Sequence, residues 1–206
     1  MEEEEFIGRY PVMYHLAYGP EVWPSISRLG LLSVEAILEV WEVPPDLKED
    51  LMTQRRSKTV RLTHATHGEV HLRDQHPLNL KMLERALTDM STTQWLRQLN
   101  EHVFLTPSLK RLKSLYRAYS DRPRLILTLS TESLVNAHRA AIKVSRINTG
   151  AVRHVNHKRG TDTLVRLRDF DPQQEVAELA VRERVSNVGT HVLRRDVWDS
   201  PAQALP

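Results

Sequence analysis

The chain has 206 residues, 40% hydrophobic and 27% charged, and no apolar run approaches the roughly 18 residues that a membrane span needs. This balance fits one soluble core and excludes collagen-like, coiled-coil and disordered classes. With no cysteine, disulfide staples, thiolate zinc sites and a cysteine nucleophile are excluded as well. The start Met1-Glu2-Glu3-Glu4-Glu5 lacks the basic head and apolar centre of a signal peptide, so a cytoplasmic chain is expected. Only 7 Gly are present and neither GxGxxG nor GxxxxGKS/T occurs, so a nucleotide would have to be held without the two commonest phosphate-cradling loops.

Taken in chain order, Tyr10 to Tyr18 predicts a strand, in which Val12, Tyr14 and Leu16 alternate with Met13 and His15. Pro24 opens a helical turn that Gly30 stops. Ser33 caps a second helix, ended by Pro44-Pro45, and a third short helix runs from Asp46 to about Arg56. Val60 to Arg73 reads as two strands turning near His67-Gly68. Leu80, Leu83, Leu87 and Met90 recur at helical spacing, and Ser91-Thr92-Thr93-Gln94 is a capping-box start for the next helix.

His102 to Thr106 is apolar enough for a buried strand. Pro107 begins a helix whose Leu109, Leu112, Leu115, Tyr116 and Tyr119 face inward. Arg124 to Ser130 is a strand, and a short helix follows from Thr131. Later strands are expected at Leu164–Leu167, Glu175–Val181 and His191–Trp198. Helices thus gather in the N-terminal two-thirds and strands dominate the rest. This predicts a segregated α+β domain over 1–206, with 1–9 and 199–206 as flexible tails.

Charge is unevenly placed. From Arg139 to Gly160 the chain carries Arg139, Lys143, Arg146, Arg153, Lys158 and Arg159 with no acid, a stretch that attracts polyanions or else forms a solvated loop. Within it, the turn-rich Ser145-Arg146-Ile147-Asn148-Thr149-Gly150 makes Asn148, Arg153 and Arg159 candidates for contacting an acceptor substrate. Arg73-Asp74-Gln75, a polar break between strand and helix, offers three different hydrogen-bonding groups to a pocket. The histidines at 64, 67, 71 and 76 lack HExxH or a carboxylate cluster, so no metal is expected, and without GxSxG a Ser-His-Asp hydrolase is not supported.

An order of segments stands out. Tyr14-His15-Leu16-Ala17, Trp23-Pro24-Ser25-Ile26 and Gly30-Leu31-Leu32-Ser33 are followed by Thr53-Gln54-Arg55-Arg56 and His102-Val103-Phe104-Leu105. Val176-Ala177-Glu178-Leu179-Ala180-Val181 closes the series. Together they resemble the ADP-ribosyltransferases of the DarT type, as a sister group in which Ala17 stands where the family often has Thr. The resemblance implies a split β-sheet, NAD as substrate without a metal, and transfer of ADP-ribose to a DNA or RNA base. It also implies a toxin or phage-defence role with an antitoxin or hydrolase partner. Glu178 would be catalytic, with Tyr14, His15 and Phe104 on the NAD side and an arginine at 55 or 56 at the diphosphate. Of these two, Arg56 is placed with Glu178 in catalysis, and Arg55 joins Arg73 in holding the cofactor.

The same His-first sheet occurs in RNA 2'-phosphotransferases, whose several spaced arginines are not evident here. A nucleic-acid- or protein-binding module without catalysis is the other reading. Independently of any family, breaking the C1'–nicotinamide bond passes through an oxocarbenium-like state that requires a carboxylate, and strand alternation turns Glu178 away from the apolar face of Ala177, Leu179 and Val181.

Overall fold

The computed structural model describes residues 1–119, 121–152, 155 and 157–199. With 39% helix and 28% strand the chain is a mixed helical and β protein. It opens with α1 (Glu3–Arg9), β1 (Val12–Ala17), α2 (Trp23–Leu29), β2 (Leu31–Leu32), α3 (Val34–Val40) and α4 (Pro45–Thr53). The hairpin β3 (Val60–His64) and β4 (Gly68–Leu72) leads into α5 (Leu80–Ala86), α6 (Thr92–Asn100), β5 (His102–Leu105), α7 (Leu109–Ala118) and β6 (Arg124–Ser130). After α8 (Thr131–His138) come β7 (Ile142–Ser145), β8 (Val165–Arg166), β9 (Glu178–Arg182), β10 (Arg184–Val185) and β11 (Val192–Trp198).

Local chemistry sets many of these boundaries. Ser33 Oγ accepts from the Ala36 amide to start α3, and Ser91 and Gln94 form the reciprocal capping box that starts α6. Pro45 does not merely stop the preceding helix: it occupies the first turn of α4, where a missing N–H costs nothing. Ser108, rather than Pro107, caps α7. Gly30 ends α2 at φ 88, and a Cβ there would lie 2.4 Å from the Val185 carbonyl oxygen. Only glycine permits that approach, which pairs β2 with β10.

Two antiparallel sheets carry the architecture, one in the order β1-β6-β11 and the other β5-β9-β7-β8. Leu125, Leu127 and Leu129 of β6 and Val144, Leu179 and Val181 of the second sheet belong to one buried cluster. The sheets are also stitched together where Tyr14 N–H donates to Thr106 O at 2.8 Å and Thr106 N–H returns to Tyr14 O at 3.0 Å. That stitch sets β1 beside β5.

Three expectations change. Residues 3–9 are helical rather than a flexible tail, because Phe6 is fully buried and the Met1 amino group donates to the carbonyls of Leu167 and Phe170 at 3.2 and 2.7 Å. The basic stretch contains β7, whose Ile142 and Val144 are buried, so it is not one surface loop. The strand expected from Glu175 begins at Glu178. Of the expected C-terminal tail, 200–206 lies outside the described residues.

Candidate functional site

A cavity of about 340 Å³ opens where β1, β5 and β9 approach α7, the 73–78 segment and the 148–151 loop. Tyr14, His15, Arg56, Arg73, Phe104, Asn148 and Glu178 all line it, although up to 164 positions separate them in the chain.

Glu178, the first residue of β9, pairs with Ser145 of β7 and so faces the 148–151 loop. Thr149 donates both its backbone N–H (3.0 Å) and its hydroxyl (2.7 Å) to the same carboxylate oxygen, Oε2. Burial pushes the Glu178 carboxyl above its usual range, while the Thr149 hydrogen bonds and the charges of Arg111 and Arg159 pull it back. Glu175 and Glu183 are exposed, and Glu183 pairs with Arg184.

His15 Nδ1 lies 3.0 Å from the Phe104 carbonyl oxygen, which can only accept, so Nδ1 carries the proton and Nε2 is a bare acceptor. Burial, reinforced by Arg73, lowers its pKa to about 4. The ring is therefore a neutral acceptor at neutral pH.

Arg73 lays its guanidinium 4.2 Å from the centroid of the Tyr119 ring, and its Nη2 reaches the Leu16 carbonyl at 3.4 Å. Its Nη1 is buried and has no hydrogen-bond partner among the described residues. A buried cation with an unsatisfied donor is the local chemistry of an anion site. Arg56 is 8% exposed and held through Nε to Arg73 O and through Nη1 to Leu51 O and Asn100 Oδ1, each at 3.0 Å. Burial lowers its pKa to about 10, so it remains charged at neutral pH.

The structure separates the remaining expected residues. Arg55 does not line the cavity: it donates to the carbonyls of Gln75 and His76 behind the 73–76 segment. Asn148 lines the cavity with its Oδ1 occupied by the Ala151 amide, which makes it a loop former. Arg159 is 3% exposed and grips backbone carbonyls, so it does not face an acceptor. Its charge suggested a surface position in the sequence; its two Nη groups bond inside, and its buried Nε has no partner among the described residues. Arg153 lies outside the described residues.

Gln75 lines the cavity, as the polar run 73–75 suggested, whereas Thr149, Tyr119 and Asn100 line it without having been singled out for it. Of these three only Tyr119 carried a signal, its helical periodicity. A second cavity of about 480 Å³ shares His15, Leu16, Leu32 and Arg73 with the first and holds the stacked rings of Tyr18 and His71, 4.2 Å apart. Among the described residues no three His, Asp or Glu gather as a metal-binding group, and no helix is long and apolar enough to cross a membrane.

Fold and site together define a mixed α/β protein with two cavities that share His15, Leu16, Leu32 and Arg73, the first of them presenting a half-buried carboxylate, a neutral histidine and two arginines, Arg56 and Arg73. The chain belongs to a family of unknown function, DUF7002, whose profile matches residues 11–192 and so includes every residue of the cavity. No curated protein and no solved structure matches it.

Proposed function

We propose that the protein is an ADP-ribosyltransferase of DarT-like type that uses NAD as substrate and passes ADP-ribose to a nucleic acid. The observation that carries this reading is that Glu178, neutral His15 and Arg73, whose buried Nη1 has no hydrogen-bond partner among the described residues, all line one cavity. Arg73 supplies the donor that a diphosphate oxygen satisfies, and His15 Nε2 accepts from a ribose hydroxyl. The second cavity shares His15 and Arg73 with the first and offers further space beside the proposed diphosphate position, and the Tyr18–His71 stack forms part of its wall.

In the transfer step the C1'–nicotinamide bond breaks and its electron pair returns to the nicotinamide nitrogen. The ionised Glu178 carboxylate stabilises the positive charge that develops on the ribose. The acceptor nucleophile then attacks C1' and its proton passes to Glu178 or solvent. Such an electrostatic contribution acts on the transition state more than on the bound ground state.

A polyanionic acceptor is supported by α7 more than by the 139–160 stretch. Leu112 and Leu115 of α7 line the cavity, and its Leu109–Ala118 sequence contains two lysines and two arginines with no acid. In the other stretch Arg139 pairs with Glu3, Lys158 reaches the Arg85 carbonyl and Arg159 is buried.

The test is a thermal titration with NAD, because a ligand bound only by the folded chain raises the midpoint by mass action. Arg73→Gln should blunt the shift. A midpoint unmoved by millimolar NAD, with a shift from another nucleotide, would overturn the assignment.

A further inference from the structure

We infer that Arg159 and Thr149 are positioning residues for Glu178: the buried arginine fixes the 148–151 loop, and the loop's threonine orients the carboxylate so that one oxygen alone is left for the cavity. This rests on the catalytic reading of Glu178 above.

Among the described residues Arg159 makes no hydrogen bond to a carboxylate. Its Nη1 donates to His157 O at 2.9 Å, and its Nη2 to Asn148 O at 3.1 Å and Ala151 O at 3.0 Å. The two Nη2 bonds bracket Thr149 and Gly150 from both sides. The backbone of Arg159 is itself anchored at the end of α5, with its N–H on Ala86 O and its carbonyl accepting from Thr88 N–H, each at 2.9 Å. The loop is therefore tied to α5 by the Arg159 side chain, alongside the backbone bond from Asn79 N–H to Val152 O at 3.3 Å. Within it, Asn148 Oδ1 takes the Ala151 N–H at 2.9 Å and Ser145 Oγ the Ile147 N–H at 3.2 Å, so the turn is hydrogen-bonded at both ends.

The result is a Thr149 side chain 1% exposed, with both of its donors on Glu178 Oε2. Two donors on one oxygen favour the ionised carboxylate and fix its rotation, which leaves Oε1 as the oxygen that can face a developing positive charge. A buried guanidinium bound only to carbonyls is an expensive way to close a turn, since desolvating a charge costs several kcal/mol. Its positive charge has a second use, because it acts on Glu178 through space. The charged groups that face Glu178 are Arg111 of α7 and Arg159.

The experiment compares Thr149→Val, Thr149→Ser and Arg159→Lys with the parent, in the full chain. Glu178 is titrated by carboxyl-carbon NMR and assigned against Glu178→Gln, and kcat and KM for NAD are measured across pH. Thr149→Val should raise the Glu178 pKa and lower kcat about ten- to hundredfold while KM for NAD changes little, and Thr149→Ser should restore both. Arg159→Lys keeps the charge but loses the fork, so it should move the same two readouts in the same direction. A folded Thr149→Val protein with an unmoved Glu178 pKa overturns the inference, whatever becomes of Arg159→Lys. If the parent neither binds nor consumes NAD, the proposed function fails, and the titration still decides whether Thr149 and Arg159 set the carboxylate.

Discussion

Replacing His15 by Asn tests the electrostatics of the site through stability alone. The unfolded chain protonates this imidazole near its ordinary value of 6.5, whereas the folded chain resists until about 4. Between those values the unfolded state binds more protons, so folding stability falls as pH drops through that window and is flat above it. Because the two values differ by 2.5, the loss at pH 4 is about 3 kcal/mol, with about 2 kcal/mol already gone at pH 5. Asn keeps a donor for the Phe104 carbonyl and has no proton to take up. His102, His138 and His191 are also held low by burial, so the quantity to read is the difference between parent and variant.

Urea unfolding at about pH 7.5, 5 and 4 should show the parent losing about 3 kcal/mol more than His15→Asn over the full range. Equal losses within about 1 kcal/mol would mean that His15 is solvated and charged, and the neutral-acceptor role would fall with it.

Charge reversal at Lys110 and Lys113 should weaken oligonucleotide binding and flatten its dependence on log salt by about 1.5 for two lost phosphate contacts, measured by anisotropy, whereas Lys158→Glu should change little. Gly30→Ala should destabilise by at least about 2 kcal/mol in chemical denaturation, because its φ of 88 is strained for alanine and the new Cβ meets the Val185 carbonyl; a neutral result would mean that β2 and β10 separate freely.

What could be read from sequence follows a physical line. Ser33, Gly30 and the Ser91/Gln94 box act over one helical turn, so their partners lie within three or four residues and the pattern is local. β6, with Leu125, Ile126, Leu127 and Leu129 all buried, was likewise evident as a continuous apolar run. β7 was not, because Ile142 and Val144 alternate with Lys143 inside a stretch whose positive charge dominated the reading. The N-terminal acids suggested a mobile end, and the buried Phe6 together with the hydrogen bonds of the Met1 amino group outweighed them.

In the site, His15, Arg73 and Glu178 were identifiable as polar residues on or beside strands. The pairing of Glu178 with Thr149 spans 29 positions and depends on the β7–β9 register, which no local pattern encodes. Arg159 was misplaced for the same reason: a cation in a basic run reads as surface until its fork is seen closed on the carbonyls of Asn148 and Ala151.

The most direct test of the central claim is to incubate the protein with NAD and, in separate reactions, DNA, RNA and cell protein, and to weigh the products, with Glu178→Gln in parallel. The expected result is a nucleic acid heavier by one ADP-ribose, with Glu178→Gln keeping the fold and most of the NAD affinity but slowing transfer by orders of magnitude. A Glu178→Gln protein that transfers at the parent rate, or a parent that binds NAD and modifies none of the three acceptors, would contradict it.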